Sequence, residues 1–204
     1  MYFDIGANIG RWSLANIGST SRIVSVEAVP ATYAKLIANC GHNGNIICEN
    51  YAACDNSGND ITFYSCTSTD TISTLNRDWL ADPSSRFNNA PYNEITCKTI
   101  TLDALIGKYG IPDLLKIDVE GGEYECIKSL TQKVPQLCFE WASETNAITF
   151  QTLDHLLSLG FTEFYLQFED AYTFRPTTYT NVEVVREQLN KTTPKKEWGM
   201  VWCR

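Results

Sequence analysis

The sequence is short of the features that send a chain to nucleic acid, a membrane or a metal–thiolate fold. Lys and Arg number 16 against 24 Asp and Glu, a formal charge of −8. That balance works against a broad grip on nucleic acid, because phosphate neutralisation needs clustered cations. No apolar run approaches the roughly 18 to 20 residues of a bilayer span. The N-terminus, interrupted by Asp4 and by glycine and polar residues, does not read as a secretory signal. The eight cysteines, at positions 40, 48, 54, 66, 97, 126, 138 and 203, include no C-x-x-C pair and no histidine at zinc-finger spacing. Several sit in apolar runs, so they read as reduced thiols acting as small hydrophobes in a cytoplasmic protein. There is no internal repeat, no low-complexity tract and no composition suited to an interdomain linker. At 204 residues the chain therefore reads as a single domain, 1–204, with length enough for one core.

What is present begins at residues 2–10, Tyr-Phe-Asp-Ile-Gly-Ala-Asn-Ile-Gly. Tyr2, Phe3 and Ile5 are β-prone and Gly6 bounds them, giving a short buried strand and a tight turn. Gly6 allows close backbone approach to a ligand, and Gly10 opens a helix whose free N–H groups point back into the turn. A strand, a glycine turn and a helix make a nucleotide-type cofactor site. The spacing is Asp4-x-Gly6-x-x-x-Gly10, with Asn8 where a dinucleotide fingerprint carries its second glycine. Asp4, ahead of the turn, repels phosphate and suits a cationic ammonium group. A ligand with adenine, ribose and an amino acid in place of phosphates therefore fits better than NAD, and S-adenosylmethionine is such a ligand. The turn residues Ala7 and Asn8 belong to the same predicted cofactor set. Glu27 closes the second strand, where an acid can accept both ribose hydroxyls, and Ala28 follows it. Ala53 and Asp55, after a third strand over 46–53, lie where adenine would sit, although Asp55 reads equally as a turn former.

Strands alternate with helices over the first 160 residues, which predicts a mainly parallel sheet covered on both faces. Residues 66–94 break the rhythm. They are rich in Ser, Thr, Asp, Asn and Pro yet carry Trp79, Leu80, Phe87 and Tyr92, so they read as a lid or acceptor-binding insertion. Beyond it a strand over 113–118 ends in Asp118, and a helix opens near Glu120. Asp118 faces the reactive end of such a site, and Glu120 gains from a helix N-terminus. Lys116, two residues before Asp118, shares its strand face and either pairs with it or lowers an acceptor's pKa. Glu140 closes the next strand. These acids act on an acceptor hydroxyl, only shape the site, or alternatively, as Asp118, Glu120 and Glu140, hold Mg²⁺. The histidines, His42 after a helix and His155 within one, read as structural or exposed, which disfavours a histidine base.

Four stretches together resemble the FkbM family of methyltransferases: Asp-Ile-Gly-Ala-Asn-Ile-Gly at 4–10, Val-Glu-Ala-Val-Pro at 26–30, Thr-Leu-Asp-Ala-Leu at 101–105 and Leu-Lys-Ile-Asp-Val-Glu-Gly-Gly-Glu at 115–123. The run Ser73-Thr74-Leu75 looks like a further family feature. The resemblance spans about 2–130, and the terminal strand over 199–204 suits the family's last strand. It implies a Rossmann-like α/β class I fold with a seven-stranded sheet, order 3-2-1-4-5-7-6, the seventh strand antiparallel. It implies S-adenosylmethionine as donor and a hydroxyl of a sugar, polyketide or other small molecule as acceptor. RNA methylation at a cap ribose and a non-catalytic Rossmann-like binding module are the alternatives. The chain starts at the first strand, without the helices that often cover the cofactor in such enzymes. Either residues 66–94 supply that cover, or the sequence is the core of something larger.

Overall fold

The computed structural model describes residues 1–204. In chain order the elements are β1 (Tyr2–Ile5), α1 (Arg11–Asn16), β2 (Ile23–Val26), α2 (Pro30–Cys40), β3 (Ile46–Glu49), β4 (Ala52–Ala53), β5 (Asp60–Cys66), α3 (Arg77–Ala81), β6 (Tyr92–Ile100), α4 (Leu102–Tyr109), β7 (Leu114–Ile117), α5 (Glu123–Ile127), β8 (Leu137–Ala142), α6 (Asn146–Ser158), β9 (Phe164–Phe168), α7 (Val182–Leu189) and β10 (Trp198–Cys203).

Seven strands form the main sheet in the order β3-β2-β1-β7-β8-β10-β9. Three intervening strands shift the running labels, but the order among the sheet's own strands is 3-2-1-4-5-7-6. Its last strand, β10, runs antiparallel to both β8 and β9. This is the α/β class I methyltransferase architecture that the motifs imply. Every residue of β2 and β7 is buried, as expected where helices cover both faces of a parallel sheet. The largest apolar cluster holds 28 buried residues, including Phe3, Ile5, Leu115, Ile117, Phe139 and Trp141, and it joins the central strands to α4, α6 and α7.

Register decides where the chemistry goes. Ile5 pairs with Val26 on one side and Ile117 on the other, and Ile117 pairs with Phe139. The residues just past these positions, Gly6, Glu27, Asp118 and Glu140, therefore emerge along one edge, at the carboxyl ends of the parallel strands.

Three departures from the sequence reading are informative. The predicted third strand, 46–53, is two pieces: β3 stays in the main sheet, while β4 pairs with β6 in a separate three-stranded sheet, β4-β6-β5. The polar stretch near the C-terminus contains helix α7, which the sequence reading passes over. Its signals are ordinary ones: Asn181 accepts the Val184 N–H at 3.1 Å as an N-cap, and Val182, Val185 and Leu189 fill the buried face. Residues 66–94 hold one short helix, α3, which buries Trp79 and Leu80. No helix is long and apolar enough to cross a membrane.

Candidate active site

The turn after β1 is fastened by its own backbone. The N–H groups of Gly6 and Ala7 both donate to the Val26 carbonyl, at 3.0 and 2.9 Å. Gly6 has φ +76°, and a Cβ there would stand 1.7 Å from the Asp118 carbonyl oxygen. Glycine is thus required first by the neighbouring strand's backbone, a reason that the ligand-approach argument misses. Gly10 (φ +88°) is buried against α2, where a Cβ would meet Cys40 Sγ at 2.3 Å. Its task is helix packing, and it lies outside the cavity.

Glu27 is 8% exposed and takes one backbone N–H on each carboxylate oxygen, from Val29 at 2.9 Å and Asn8 at 3.0 Å. Burial pushes its carboxyl up to about 7, and those two N–H bonds offset the rise only in part. Each oxygen keeps a lone pair, and the residue borders the cavity.

Asp4 requires a correction. It is fully buried, with Ser13 Oγ donating to Oδ2 at 2.7 Å and the Lys116 ammonium 3.1 Å from Oδ1. It does not border the cavity, so it cannot meet an amino-acid ammonium there as the sequence reading expected. An acid one strand residue before the turn points down into the sheet's helical layer, and Ser13 on α1 seals it. Asp55 is likewise elsewhere. It is exposed, ion-paired to Lys128 at 2.9 Å, and its turn-former reading is the one that describes it.

Lys116 is the hinge between the buried acid and the cavity. Its ammonium lies 3.1 Å from Asp4, 3.3 Å from Asp118 Oδ2 and 3.3 Å from the Gly6 carbonyl. Burial opposes its charge, but the Asp118 and Asp4 carboxylates more than compensate and hold its pKa above the usual lysine range. The ammonium is therefore fully engaged. It fixes Asp118, which is 27% exposed at the cavity.

Glu120 sits before α5, not within it. The helix begins at Glu123, whose own carboxylate caps the turn by accepting the Val119 and Gly121 N–H groups at 3.0 and 3.2 Å. Glu120 has φ +57°, a strained conformation for a residue with a Cβ. Its carboxylate accepts the Trp79 indole N–H at 3.1 Å. One ligand atom each from Asp118, Glu120 and Glu140 fall within 4.8 Å of one another. Burial, then the charge of Asp118, raises Glu120 well above the usual range; burial, then Glu120 and Asp118, does the same to Glu140. Asp118, Glu120 and Glu140 are the three carboxylates to which the Mg²⁺ alternative assigns a cation, and the kinships below give that alternative no support.

All of this surrounds one cavity of about 600 Å³, within the range of small-molecule sites. Glu27 and Ala28, past β2, and Glu140, past β8, border it on either side of the turns after β1 and β7, which bring Gly6, Ala7, Asn8, Asp118 and Glu120 between them; Ala53 lines it as well. The segment 66–94 contributes to its wall, from residues 70–73, 75, 79, 86 and 87. Asn8 Nδ2 donates to the Asp70 carbonyl at 2.5 Å, and Lys35 pairs with the Asp70 carboxylate at 2.8 Å. The family-like run puts Ser73 and Leu75 on the wall while buried Thr74 bridges to Tyr64. Arg86 forks onto Glu144 with two 2.6 Å bonds and donates to the Glu197 carbonyl at 2.8 Å. Sequence reading passes over the cavity residues Arg86, Asp170, Tyr172 and Trp198, which come from irregular segments or a strand end; the aromatics among them were the available signal.

The pattern that defines the methyltransferase FkbM domain matches residues 4–185. The chain belongs to the FkbM methyltransferase family. Membership brings S-adenosylmethionine as the methyl donor. No curated protein matches this methyltransferase by sequence. Among solved structures it is similar to a precorrin-6y C5,15-methyltransferase from Geobacter metallireducens GS-15, with TM-score 0.51, 11% identity, and 100% of this chain and 78% of that one covered. It is similar to a precorrin 8w decarboxylase from Methanobacterium thermoautotrophicum, with TM-score 0.51, 11% identity and coverage of 100% and 80%. A third likeness is to the fibrillarin pre-rRNA processing protein of Methanococcus jannaschii, with TM-score 0.50, 12% identity and coverage of 99% and 64%. At such identities these likenesses speak for the fold alone.

Proposed function

We propose that this FkbM methyltransferase methylates a hydroxyl oxygen of a sugar or other small molecule, and that 1–204 work as one domain with residues 66–94 as its lid. One observation carries the reading: a single cavity is bordered by Glu27, past β2, and by Glu120 with Glu140, past β7 and β8, with β1 between β2 and β7. When bound, S-adenosylmethionine supplies an electrophilic methyl on a sulfonium. Glu27 fits its ribose, since it borders the cavity and each carboxylate oxygen has capacity beyond the one backbone N–H it accepts. Gly6, Ala7, Asn8, Ala28 and Ala53 supply a small-residue floor for the rest. The cavity fits a dinucleotide less well: of its lining cations, Lys116 and Arg86 are already held by Asp4, Asp118 and Glu144, which leaves Arg11 alone to meet a pyrophosphate.

At the acceptor end Glu120 receives the hydroxyl proton, with Glu140 beside it. Carboxyls raised toward neutrality are stronger bases than ordinary ones, and a general base contributes roughly 10²- to 10⁴-fold. Lys116 neutralises and orients Asp118 and takes no proton itself. As the acceptor's O–H proton passes to Glu120, its oxygen gains the methyl, the S–CH₃ bond breaks, and a neutral thioether departs. The order of events is an in-line displacement, so alignment contributes most of the rate.

Phe87, Tyr172 and Trp198 line the cavity with aromatic surface of the kind on which a sugar ring packs. Four acids border the cavity around its acceptor end, Asp118, Glu120, Glu140 and Asp170, which disfavours a phosphate-rich acceptor such as RNA. Labelled methyl transfer from S-adenosylmethionine onto a panel of sugars, lipids and RNA tests the proposal. Label on sugar hydroxyls is the expected result, and label confined to RNA sinks it. Calorimetry that finds NAD bound and S-adenosylmethionine not bound sinks the cofactor assignment.

A further inference from the structure

Glu120 belongs to the turn after β7, yet the only hydrogen bond to its carboxylate comes from far up the chain. Trp79 donates its indole N–H to Oε2 at 3.1 Å. The face of the same indole lies on Gly121, where a Cβ would stand only 3.1 to 3.3 Å from ring carbons. Asn76 Nδ2 adds a contact to the Gly121 carbonyl at 3.4 Å. Helix α3 and its cap thus hold the turn by a carboxylate, an α-carbon and a carbonyl.

Trp79 has little freedom of its own. It is 4% exposed, packs edge-on against Phe87 with centroids 5.3 Å apart, and shares a buried cluster with Cys66, Ile72, Leu80 and Ala142. Ser85 Oγ donates to its carbonyl at 2.5 Å, and the next residue, Arg86, is clamped on Glu144. A line of fixed contacts therefore runs from β8's end, through the segment 66–94, to the Glu120 carboxylate.

Glu120 needs such a donor. Its positive φ costs about 1 kcal/mol or more. Asp118, Glu123 and Glu140 act on it with like charge, against Lys116 and the more distant Arg86. Left alone, the side chain would turn toward any rotamer that relieves this repulsion. One N–H from an immobile ring pins Oε2 and leaves Oε1 for the cavity.

We propose that Trp79 is a positioning residue for methyl transfer, which holds the Glu120 carboxylate toward the acceptor end and ties it to the seating of residues 66–94. The inference rests on the reading of Glu120 as proton acceptor. A purely structural Trp79 would tolerate phenylalanine, which keeps a ring over Gly121; a positioning Trp79 would not, because phenylalanine has no N–H.

The test begins with ¹H–¹⁵N indole spectra of the full chain, labelled at its five tryptophans, as wild type, Trp79→Phe and Glu120→Gln. The peak missing from Trp79→Phe belongs to Trp79. It is expected to move in Glu120→Gln and to follow pH in the wild type only. A peak indifferent to both overturns the proposal without any acceptor in hand. With the labelled-methyl panel, Trp79→Phe is expected to lower kcat about tenfold while S-adenosylmethionine affinity stays within about twofold. The acid limb of its pH–rate profile moves upward, since the lost N–H had lowered the Glu120 carboxyl. The double variant is expected to be no slower than Glu120→Gln alone. Losses that simply multiply overturn the positioning role and leave Glu120 as base. Full activity in Glu120→Gln defeats the proton-acceptor reading itself, and the positioning role with it.

Discussion

Around Glu27 the cavity wall is made of backbone and small side chains drawn from short, contiguous stretches. Gly6 and Ala7 hang on the Val26 carbonyl, and Glu27 takes the Asn8 and Val29 amides. Around Glu120 and Glu140 the wall is made of large side chains brought together from 79, 86, 170, 172 and 198. The first end is fixed by strand register and survives most side-chain changes. The second is fixed by a few long-range contacts, so each of them matters singly. A donor common to a family and an acceptor peculiar to one member call for these two kinds of construction.

The harshest way to break the contrast is at the residue where both ends meet. Gly6→Ala drives a Cβ into the Asp118 carbonyl and forbids the required φ, so it is expected to cost about 3 to 5 kcal/mol. Urea unfolding monitored by circular dichroism should register that loss, and both ends should fail together. Glu120→Gln touches only the second end: kcat is expected to fall about a hundredfold, with S-adenosylmethionine affinity within about twofold. Glu27→Ala does the reverse, weakening the cofactor by roughly 1.5 to 3 kcal/mol in calorimetry, the scale of charged hydrogen bonds. An unchanged affinity would remove Glu27 from the ribose.

Acidity separates the ends more gently. The Glu27 carboxyl is raised to about 7, so the folded chain holds a proton that the unfolded chain has released above the ordinary glutamate range. Its contribution to stability therefore declines as pH rises from that range to about 7, and is flat beyond. Ribose hydroxyls donate best to the ionised form, so cofactor affinity should rise between about pH 6 and 8. Glu27→Gln should flatten both curves. Least of all, Lys35→Ala removes a pair whose lysine is 57% exposed, and should change unfolding free energy by less than about 1 kcal/mol.

How much the letters disclose follows the same division. The β1 turn, Glu27 and the Asp118-to-Glu123 run were legible because their geometry is local and their neighbours come from register. The sheet order followed from the family motifs. Asp4 misled because the side a strand residue faces depends on what α1 and β7 bring beneath it, namely Ser13 and Lys116. Gly10 misled because the demand for glycine came from α2, and Glu120 because Gly121 and Gly122 delay the helix to Glu123. Arg86 was invisible as a cavity residue, since nothing local distinguishes a clamped arginine from an ordinary one, and Trp198 offered only its aromatic character.

Arg86 fastens the segment 66–94 to Glu144 and to the Glu197 carbonyl, and both Arg86 and Trp198 line the cavity. The two Arg86 clamps span 58 and 111 residues of sequence, so seating the segment costs more chain entropy than closing the β1 turn, whose amides reach only to Val26.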